Sequence, residues 1–285
     1  MELATQLITY GVLMGCVFAF VALGLSLIFG VMNIVNFAHG EFLMVGMYVA
    51  FLISSYLPVD PLVSLPFAAA LGFLLGIISY RHLITHILRG PMVAQLFGTF
   101  GLMLFLRYLV MLIFTPDVRT LSHGILVGKT FTLGWVSIDV SKLVSAGLCL
   151  LLFVFVYWMI NRTKLGRALR ATSLDAEAAR YMGIDTEKMN TLAWGIGGAT
   201  VCVAGGLLAH FYYITPTVGM LFVLIAFATV ALGGFGSITG AFLAGLIIGL
   251  IQVVAGHYLS ELKFTFVYMA YFLAVVLRPR GLFGW

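Results

Sequence analysis

Long apolar stretches, separated by short polar or glycine-rich segments, run through nearly the whole chain. About 20 consecutive apolar residues form a helix long enough to cross the hydrocarbon core of a bilayer. The pattern therefore predicts an all-α integral membrane protein with eight or nine transmembrane helices, broken near the centre. The candidate spans are residues 7–29, 42–57, 62–80, 92–114, 143–160, 193–213, 219–235, 238–256 and 264–277.

A compact polar segment, residues 30–46, interrupts the apolar sequence early in the chain. Its polar side chains are those of Asn33, Asn36, His39 and Glu41. Polar groups in lipid cost several kcal/mol unless they are paired or face water. The segment therefore lines a buried cavity, stabilises a helix break, or does both, and the alternative is a polar loop at the membrane surface. We favour a helix break on a translocation pathway.

A glycine-rich segment between the last long spans is a second candidate for the pathway. It is formed by Gly233, Gly234, Gly236 and Ser237 together with Phe235. The segment is either a tight turn or a second helix break. The order of apolar and glycine positions in residues 226–249 is similar to that in residues 22–50. In transporters, glycine-interrupted segments in corresponding halves of the chain indicate a substrate site near the middle of the membrane. The similarity found here is due either to an inverted repeat or to chance.

Composition supports a polytopic membrane protein without a separate soluble domain. The chain is 62% hydrophobic and 9% charged, whereas a soluble domain carries about 25% charged residues. Residues 1–285 are thus a single transmembrane domain, whose longest polar stretch is residues 161–192. The three cysteines lie isolated in apolar runs, so we expect packing roles and neither a metal site nor a disulfide. The net charge of +5 is spread through the loops and does not indicate a nucleic-acid partner.

The distribution of basic residues predicts the orientation in the membrane. Residues 161–192 contain six lysines and arginines, which predicts a cytoplasmic loop, and the basic tail at 278–280 is expected on the same side. Residues 115–142 are then extracytoplasmic, and their weak alternation at 130–138 predicts a short hairpin or an amphipathic segment.

The N-terminus lacks the basic region and cleavage site of a signal peptide, so we interpret residues 7–29 as a retained span. Nine crossings place the N-terminus outside. If residues 30–41 form one bent crossing with their neighbours, the count is eight and the N-terminus lies inside.

Pairs of glycines four positions apart predict close contacts between helices, because both glycines lie on one helix face. The pairs are Gly11/Gly15, Gly72/Gly76 and Gly245/Gly249. We expect these contacts to lie within one chain.

The basic loop contains the pattern of a short, capped helix, predicted over Leu174–Met182. Ser173 is a suitable N-cap, and acidic residues follow in the first turns, where the helix dipole favours anions. Gly183 lies where a left-handed residue ends a helix. A helix that only connects two spans needs no caps, so we favour docking into a groove of a neighbouring ATPase. We assign this role to Asp175, Glu177, Ala178, Ala179, Arg180 and Gly183.

Residues Glu177-Ala178-Ala179, followed after three residues by Gly183, resemble the Glu-Ala-Ala…Gly motif of bacterial ABC-importer permeases. In those proteins the motif forms the coupling helix seated on the ATP-binding subunit. The Leu-Pro that often follows is missing here. Residues 30–46, 232–241 and 278–284 closely resemble the signatures of the branched-chain amino acid permease family, in the same order and over nearly the whole chain. Residues 115–142 show no family pattern.

The resemblance implies the membrane subunit of a binding-protein-dependent importer in the bacterial inner membrane. It implies a second, usually non-identical permease subunit, two cytoplasmic ATP-binding subunits and an extracytoplasmic solute-binding protein. The chain has no P-loop motif, so ATP is expected on the partner subunits and no cofactor on this chain. Hydrophobic amino acids are the commonest substrates of the family, and close relatives carry urea, short amides or aromatic acids.

The polar residues of the spans have alternative roles. Asn33, Asn36 and His39 either stabilise freed backbone groups at the break or contact the solute. Glu41 is expected to cap the following helix in preference to a direct solute contact. Arg107 either reaches the outer interface or pairs with a carboxylate that the sequence does not identify.

Two other classes of protein are less well supported. A secondary transporter needs buried ionisable residues for ion coupling, and within the spans only Glu41 and Arg107 are candidates. A membrane enzyme needs a catalytic constellation such as paired carboxylates or His-Glu-x-x-His, and the sequence shows none. We therefore expect no catalytic residues in this chain.

Overall fold

A computed structural model describes residues 2–57, 59–88, 90–121, 124–278 and 281–283. Among these residues the architecture is helical, with one small hairpin. The helices are α1 (Glu2–Met32), α2 (His39–Tyr56), α3 (Ser64–Ser79), α4 (Thr85–Ile87), α5 (Met92–Phe114), α6 (Val140–Arg162), α7 (Lys164–Leu174), α8 (Ala176–Tyr181), α9 (Thr186–Leu208), α10 (Val218–Gly233), α11 (Ile238–Tyr258) and α12 (Lys263–Leu277). The strands are β1 (Thr130–Leu133) and β2 (Val136–Asp139), the 3-10 turns are Pro61–Val63 and Ser260–Leu262, and Tyr80–Ile84 is a π-helical turn between α3 and α4.

The helices reproduce the predicted membrane segments. In the described part of the chain, seven helical segments are long and apolar enough to cross a membrane. The 18-residue α2 and the shorter α10 complete the predicted set. The all-α membrane fold predicted from the apolar pattern is therefore confirmed. Pro279 and Arg280, in the basic tail on which part of the orientation argument depends, lie outside the described residues.

The two ends of α1 define two faces of the helix bundle. Near its start, Gln6 donates a hydrogen bond to the carbonyl of Ser137, and the hydroxyl of Tyr10 accepts one from the backbone of Asp139. We call the side with β1 and β2 the hairpin face. Near its other end, Gly30 packs against Gly236, beside the loop that joins α6 to α9, and we call this side the basic face. The chain therefore starts on the hairpin face, as nine crossings predict.

The chain also returns to the basic face at its C-terminal end. The backbone of Leu282 donates a hydrogen bond to the carbonyl of Leu232, at the end of α10. Phe283 lines the same cavity as Arg170 of α7. The loop of residues 161–192 and the tail thus share one face, as their basic residues predict.

Glycine contacts bring the central helices together. Gly249 of α11 packs directly on the backbone of Gly15 in α1, and Gly76 of α3 packs on the backbone of Trp194 in α9. Trp194 is fully buried. The predicted glycine pairs thus mediate packing within one chain, where close backbone approach replaces the hydrophobic driving force that lipid removes.

The hairpin predicted within residues 130–138 is confirmed. Strands β1 and β2 pair antiparallel, with Phe131 opposite Ile138. Gly134 occupies the two-residue turn with φ 61°, a conformation that favours glycine. Asp139 then begins α6 by accepting a hydrogen bond from the backbone of Ser141.

Candidate functional site

Two short helices begin side by side deep within the helix bundle. Residues 33–38 turn back along α1, so that His39, at the start of α2, meets the carbonyl of Val21. Val21 lies eleven residues before the end of α1, which corresponds to about 16 Å along the helix axis. The start of α10 packs here too, because Gly219 and Gly40 touch through their backbones. Helix N-termini carry partial positive charge, so the two starts form an electropositive site.

The side chains of the break mainly satisfy backbone groups. Asn33 ends α1 with φ 54° and is exposed. The Asn36 side-chain oxygen accepts a hydrogen bond from the backbone of Ala38 at 3.0 Å, and His39 Nε2 lies 2.9 Å from the carbonyl oxygen of Val21. Asn36 and His39 are fully buried. These hydrogen bonds stabilise the break, and a contact of these side chains with the solute stays a prediction.

Residue Thr99 contributes to the break although no sequence pattern singled it out. Its hydroxyl, fully buried on α5, donates a hydrogen bond to the carbonyl of Val35 at 3.1 Å. A threonine in an apolar helix usually bonds its own backbone, so only the fold reveals this partner.

A buried ion pair joins α2 to α5 at the site. Arg107 Nη2 and Nε donate to Glu41 Oε1 at 2.5 and 3.1 Å. The Glu41 side chain is 1% exposed and that of Arg107 is 15% exposed. Glu41 lies in the first turn of α2, but α2 has no side-chain cap, so the expected capping hydrogen bond is replaced by this ion pair. The carboxylate that pairs with Arg107, which the sequence does not identify, is therefore that of Glu41.

The glycine-rich segment at residues 233–237 is a turn on the basic face, and its interpretation as a second helix break is wrong. Gly234 and Gly236 have φ of 100° and 80°, which allows a tight reversal between α10 and α11. Ser237 then caps α11 by accepting a hydrogen bond from the backbone of Gly240. The second short helix starts instead at Val218, where α10 meets α2.

The short helix on the basic face, α8, is fixed at both ends. The Asp175 carboxylate accepts hydrogen bonds from the backbones of Glu177 and Ala178, both at 2.9 Å. At the other end Gly183 has φ 82°, and the backbone of Ile184 donates to the carbonyl of Ala179. This bonding is a Schellman motif.

Two details of the predicted helix need correction. Ser173 is not the cap, because its hydroxyl bonds the carbonyl of Arg170 within α7. Asp175 caps in its place, so the predicted Leu174–Met182 is shortened to Ala176–Tyr181. Ala179, to which we assigned a docking role, faces inward and is buried, so its side chain is not open to a partner.

The outer side of α8 is open to a partner. Tyr181 and Met182 are each 82% exposed. Arg180 points back and donates a hydrogen bond from Nε to the hydroxyl of Thr186 at 2.7 Å. Beyond α8, the side chain of Lys188 bonds Asp185 and lowers the pKa of the Asp185 carboxyl below its ordinary value. The Asp185 carboxylate therefore stays charged, and caps α9, at a lower pH than an ordinary aspartate carboxylate would.

Replacing Asp175 by Ala should loosen α8 by about 1 kcal/mol, because two backbone N–H groups lose their acceptor. We expect faster hydrogen exchange at the amides of Glu177 and Ala178 in the purified protein. Ser173→Ala is the matched control and should leave both exchange rates unchanged. Faster exchange with Ser173→Ala alone would restore Ser173 as the cap.

Comparisons with known proteins show the family to which the chain belongs. Residues 7–277 match the family model described as branched-chain amino acid transport system / permease component. The chain is 31% identical to the high-affinity branched-chain amino acid transport system permease protein LivH of Salmonella typhimurium, over 96% of this chain and 93% of that protein. It is also 31% identical to the permease protein BraD of Pseudomonas aeruginosa, which is named for the same transport system, over 98% and 95%.

A solved structure shows a similar fold at low sequence identity. PsaBC from Streptococcus pneumoniae, in complex with Fab, superposes with a TM-score of 0.51 at 12% identity. The superposition covers 98% of this chain and 94% of that one, so the similarity extends over the whole helix bundle. Because the family model covers nearly all of the sequence, the chain belongs to the family of permease components of the branched-chain amino acid transport system.

Proposed function

We propose that this chain is the membrane-spanning subunit of an ATP-driven importer of branched-chain amino acids in the bacterial inner membrane. The observation that carries the proposal is α8, a short helix fixed at both ends whose outer side is exposed on the basic face. The family supplies the solute class, because the relatives described above are named for branched-chain amino acid transport.

The proposal assigns one partner to each face. An ATP-binding subunit holds α8 on the basic face, as grooves hold short helices elsewhere. A solute-binding protein delivers the solute to the hairpin face. A second permease, usually non-identical in such importers, completes the pathway, and a second ATP-binding subunit serves it. ATP binds to the partner subunits only, because the chain carries no P-loop sequence.

The packing of α7 suggests how movement of α8 reaches the break. Arg170 of α7 donates to the side-chain and backbone oxygens of Asn161, at 3.1 and 3.2 Å. A cavity of about 550 Å³ separates this part of α7 from Gly30 and Gly236. Displacement of α8 would thus move α7 against the end of α1 and the α10–α11 turn. Binding of ATP then biases a two-state element, as a mechanical switch requires.

Urea, short amides and aromatic acids are alternative solutes within the same importer class. An ATP-independent secondary transporter is the alternative class. It needs a free ionisable group within the spans, whereas Glu41 and Arg107 are paired with each other. This pairing favours the ATP-driven importer.

The test is reconstitution of the complete complex, with its ATP-binding and solute-binding partners, into liposomes. We expect radiolabelled leucine to accumulate only when ATP and the solute-binding protein are both present. An ATP-binding subunit that binds ATP without hydrolysing it is the control and should give background uptake. Accumulation of urea in place of leucine would reject the solute class, and leucine uptake independent of ATP would reject the importer class.

A further inference from the structure

An aromatic groove lies beside the helix break, between α5, α10 and α12. Its volume is about 540 Å³, and its walls include Leu96, Leu224, Phe227 and Tyr271. Phe37, from the break, forms the floor. The Phe37 ring lies 5.3 Å from that of Phe227 and 6.3 Å from that of Phe100 on α5 (centroid distances).

The Glu41–Arg107 ion pair is not part of the groove wall and lies nearer the hairpin face. Glu41 is four residues beyond Phe37 in the sequence. Arg107 is seven residues, about 10 Å of helix, beyond Phe100 on α5. Arg107 Nη2 also lies 3.8 Å from Met220 Sδ, and Met220 precedes Phe227 by seven residues on the antiparallel α10. The break, α5 and α10 thus each extend from the groove toward the ion pair.

The ion pair keeps unused hydrogen-bonding capacity on both partners. A guanidinium has five N–H donors, and Arg107 uses Nε and Nη2 for Glu41. Among the described residues Nη1 has no hydrogen-bonded acceptor, and the Arg107 side chain is partly exposed. Glu41 Oε2 is buried and also has no partner in the described part of the chain. One cationic donor and one anionic acceptor are therefore left over, one on each partner of the ion pair, and Glu41 Oε2 lies against Gly219 at the start of α10.

A zwitterion is the ligand class that matches these two groups. It brings a carboxylate to the guanidinium and an ammonium to the carboxylate, so the net charge of the buried site does not change. A neutral amide brings no charge to either unused group, and a simple acid adds an unpaired negative charge, which is costly away from water. The aromatic groove beside the ion pair suits an apolar side chain.

We propose that Arg107 and Glu41 bind the α-carboxylate and α-ammonium groups of a passing amino acid while its apolar side chain lies over Phe37 and Phe227. The proposal rests on the proposed function and deepens it. It selects zwitterionic amino acids over urea, amides and aromatic acids. The electropositive starts of α2 and α10 flank the same point and add to the attraction for the carboxylate.

The decisive variant is the double replacement Glu41→Met/Arg107→Met. Apolar residues of similar volume often replace a buried ion pair without loss of stability, so the complex should still assemble. We expect ATP-driven leucine uptake to fall at least about tenfold, because the solute loses charge-assisted hydrogen bonds. Lys142→Met, on the hairpin face, is the control and should leave uptake unchanged.

The outcomes separate this proposal from the proposed function. If the wild-type complex imports leucine and the double variant imports it equally well, the ion pair is structural and this proposal is overturned. If the wild-type complex imports no leucine under ATP, the proposed function itself fails. If the double Met variant does not assemble, Glu41→Gln/Arg107→Gln takes its place, with the same expected loss and the same contradicting result.

Discussion

Replacing Gly46 by Ala should strongly destabilise the folded protein. A methyl group at Gly46 would overlap the carbonyl of Cys202 on α9, and a carbonyl in a packed helix cannot move aside. The Phe42 carbonyl, one turn earlier, accepts a hydrogen bond from Cys202 Sγ at 2.9 Å. Forced separation of α2 from α9 would therefore break this contact and displace the break. Overpacking typically lowers the free energy of unfolding by about 1–3 kcal/mol. Overlap with a backbone carbonyl should lower it by at least the upper value of this range.

The measurement is thermal unfolding of detergent-solubilised protein, followed by size-exclusion chromatography. The Gly46→Ala variant should show a lower Tm and a larger aggregated fraction than the wild type. Gly147→Ala is the matched control, since Gly147 lies on α6 with no atom within 4 Å of an added methyl group. That control should be neutral or slightly stabilising, because Ala favours helix. Equal Tm values for both variants would contradict the close α2–α9 contact.

The number and type of the membrane segments could be predicted from the apolar pattern. The depth within the bundle at which each helix starts could not. Hydropathy identifies a run that is long enough to span, and α2 and α10 were both recognised as spans. Their starting depth depends on the backbone contact of Gly40 with Gly219. These two glycines are 179 positions apart in the sequence, and nothing local to either one specifies the other.

The same distinction holds for the polar residues of the candidate site. Glu41 and Arg107 were each recognised as intramembrane charges, but they pair across 66 positions. With only one candidate of each sign in the spans, charge pairing was the signal that could have joined them. At α8, Ser173 and Asp175 are both good caps by residue type. The choice between them depends on where α7 ends, and sequence patterns determine helix ends poorly.

Replacing Glu177 by Arg should abolish ATP-driven uptake while the protein still inserts into the membrane. Glu177 is exposed, and its backbone N–H, not its side chain, is the group bonded to Asp175. Reversing the side-chain charge thus leaves the cap of α8 intact and costs only a hydrogen bond from the Tyr181 hydroxyl, at 3.3 Å. The folded chain should survive. The partner ATPase, however, would meet a cation at the surface of α8, where it normally meets a carboxylate.

A matched control separates the effect of the position on α8 from the effect of the charge reversal itself. Glu187 is also exposed and lies in the first turn of the next helix, α9, so Glu187→Arg makes the same charge change at a similar distance from a helix start. We expect uptake in reconstituted liposomes to fall more than about tenfold for Glu177→Arg, since like charges at an interface cost several kcal/mol. The Glu187→Arg variant should keep most of the wild-type uptake. Wild-type uptake by Glu177→Arg would exclude α8 as the docking helix, and an equal loss in both variants would assign the defect to charge on the whole basic face. Loss confined to Glu177→Arg, with ATPase activity retained but no longer driving uptake, would identify α8 as the element through which ATP hydrolysis reaches the helix break.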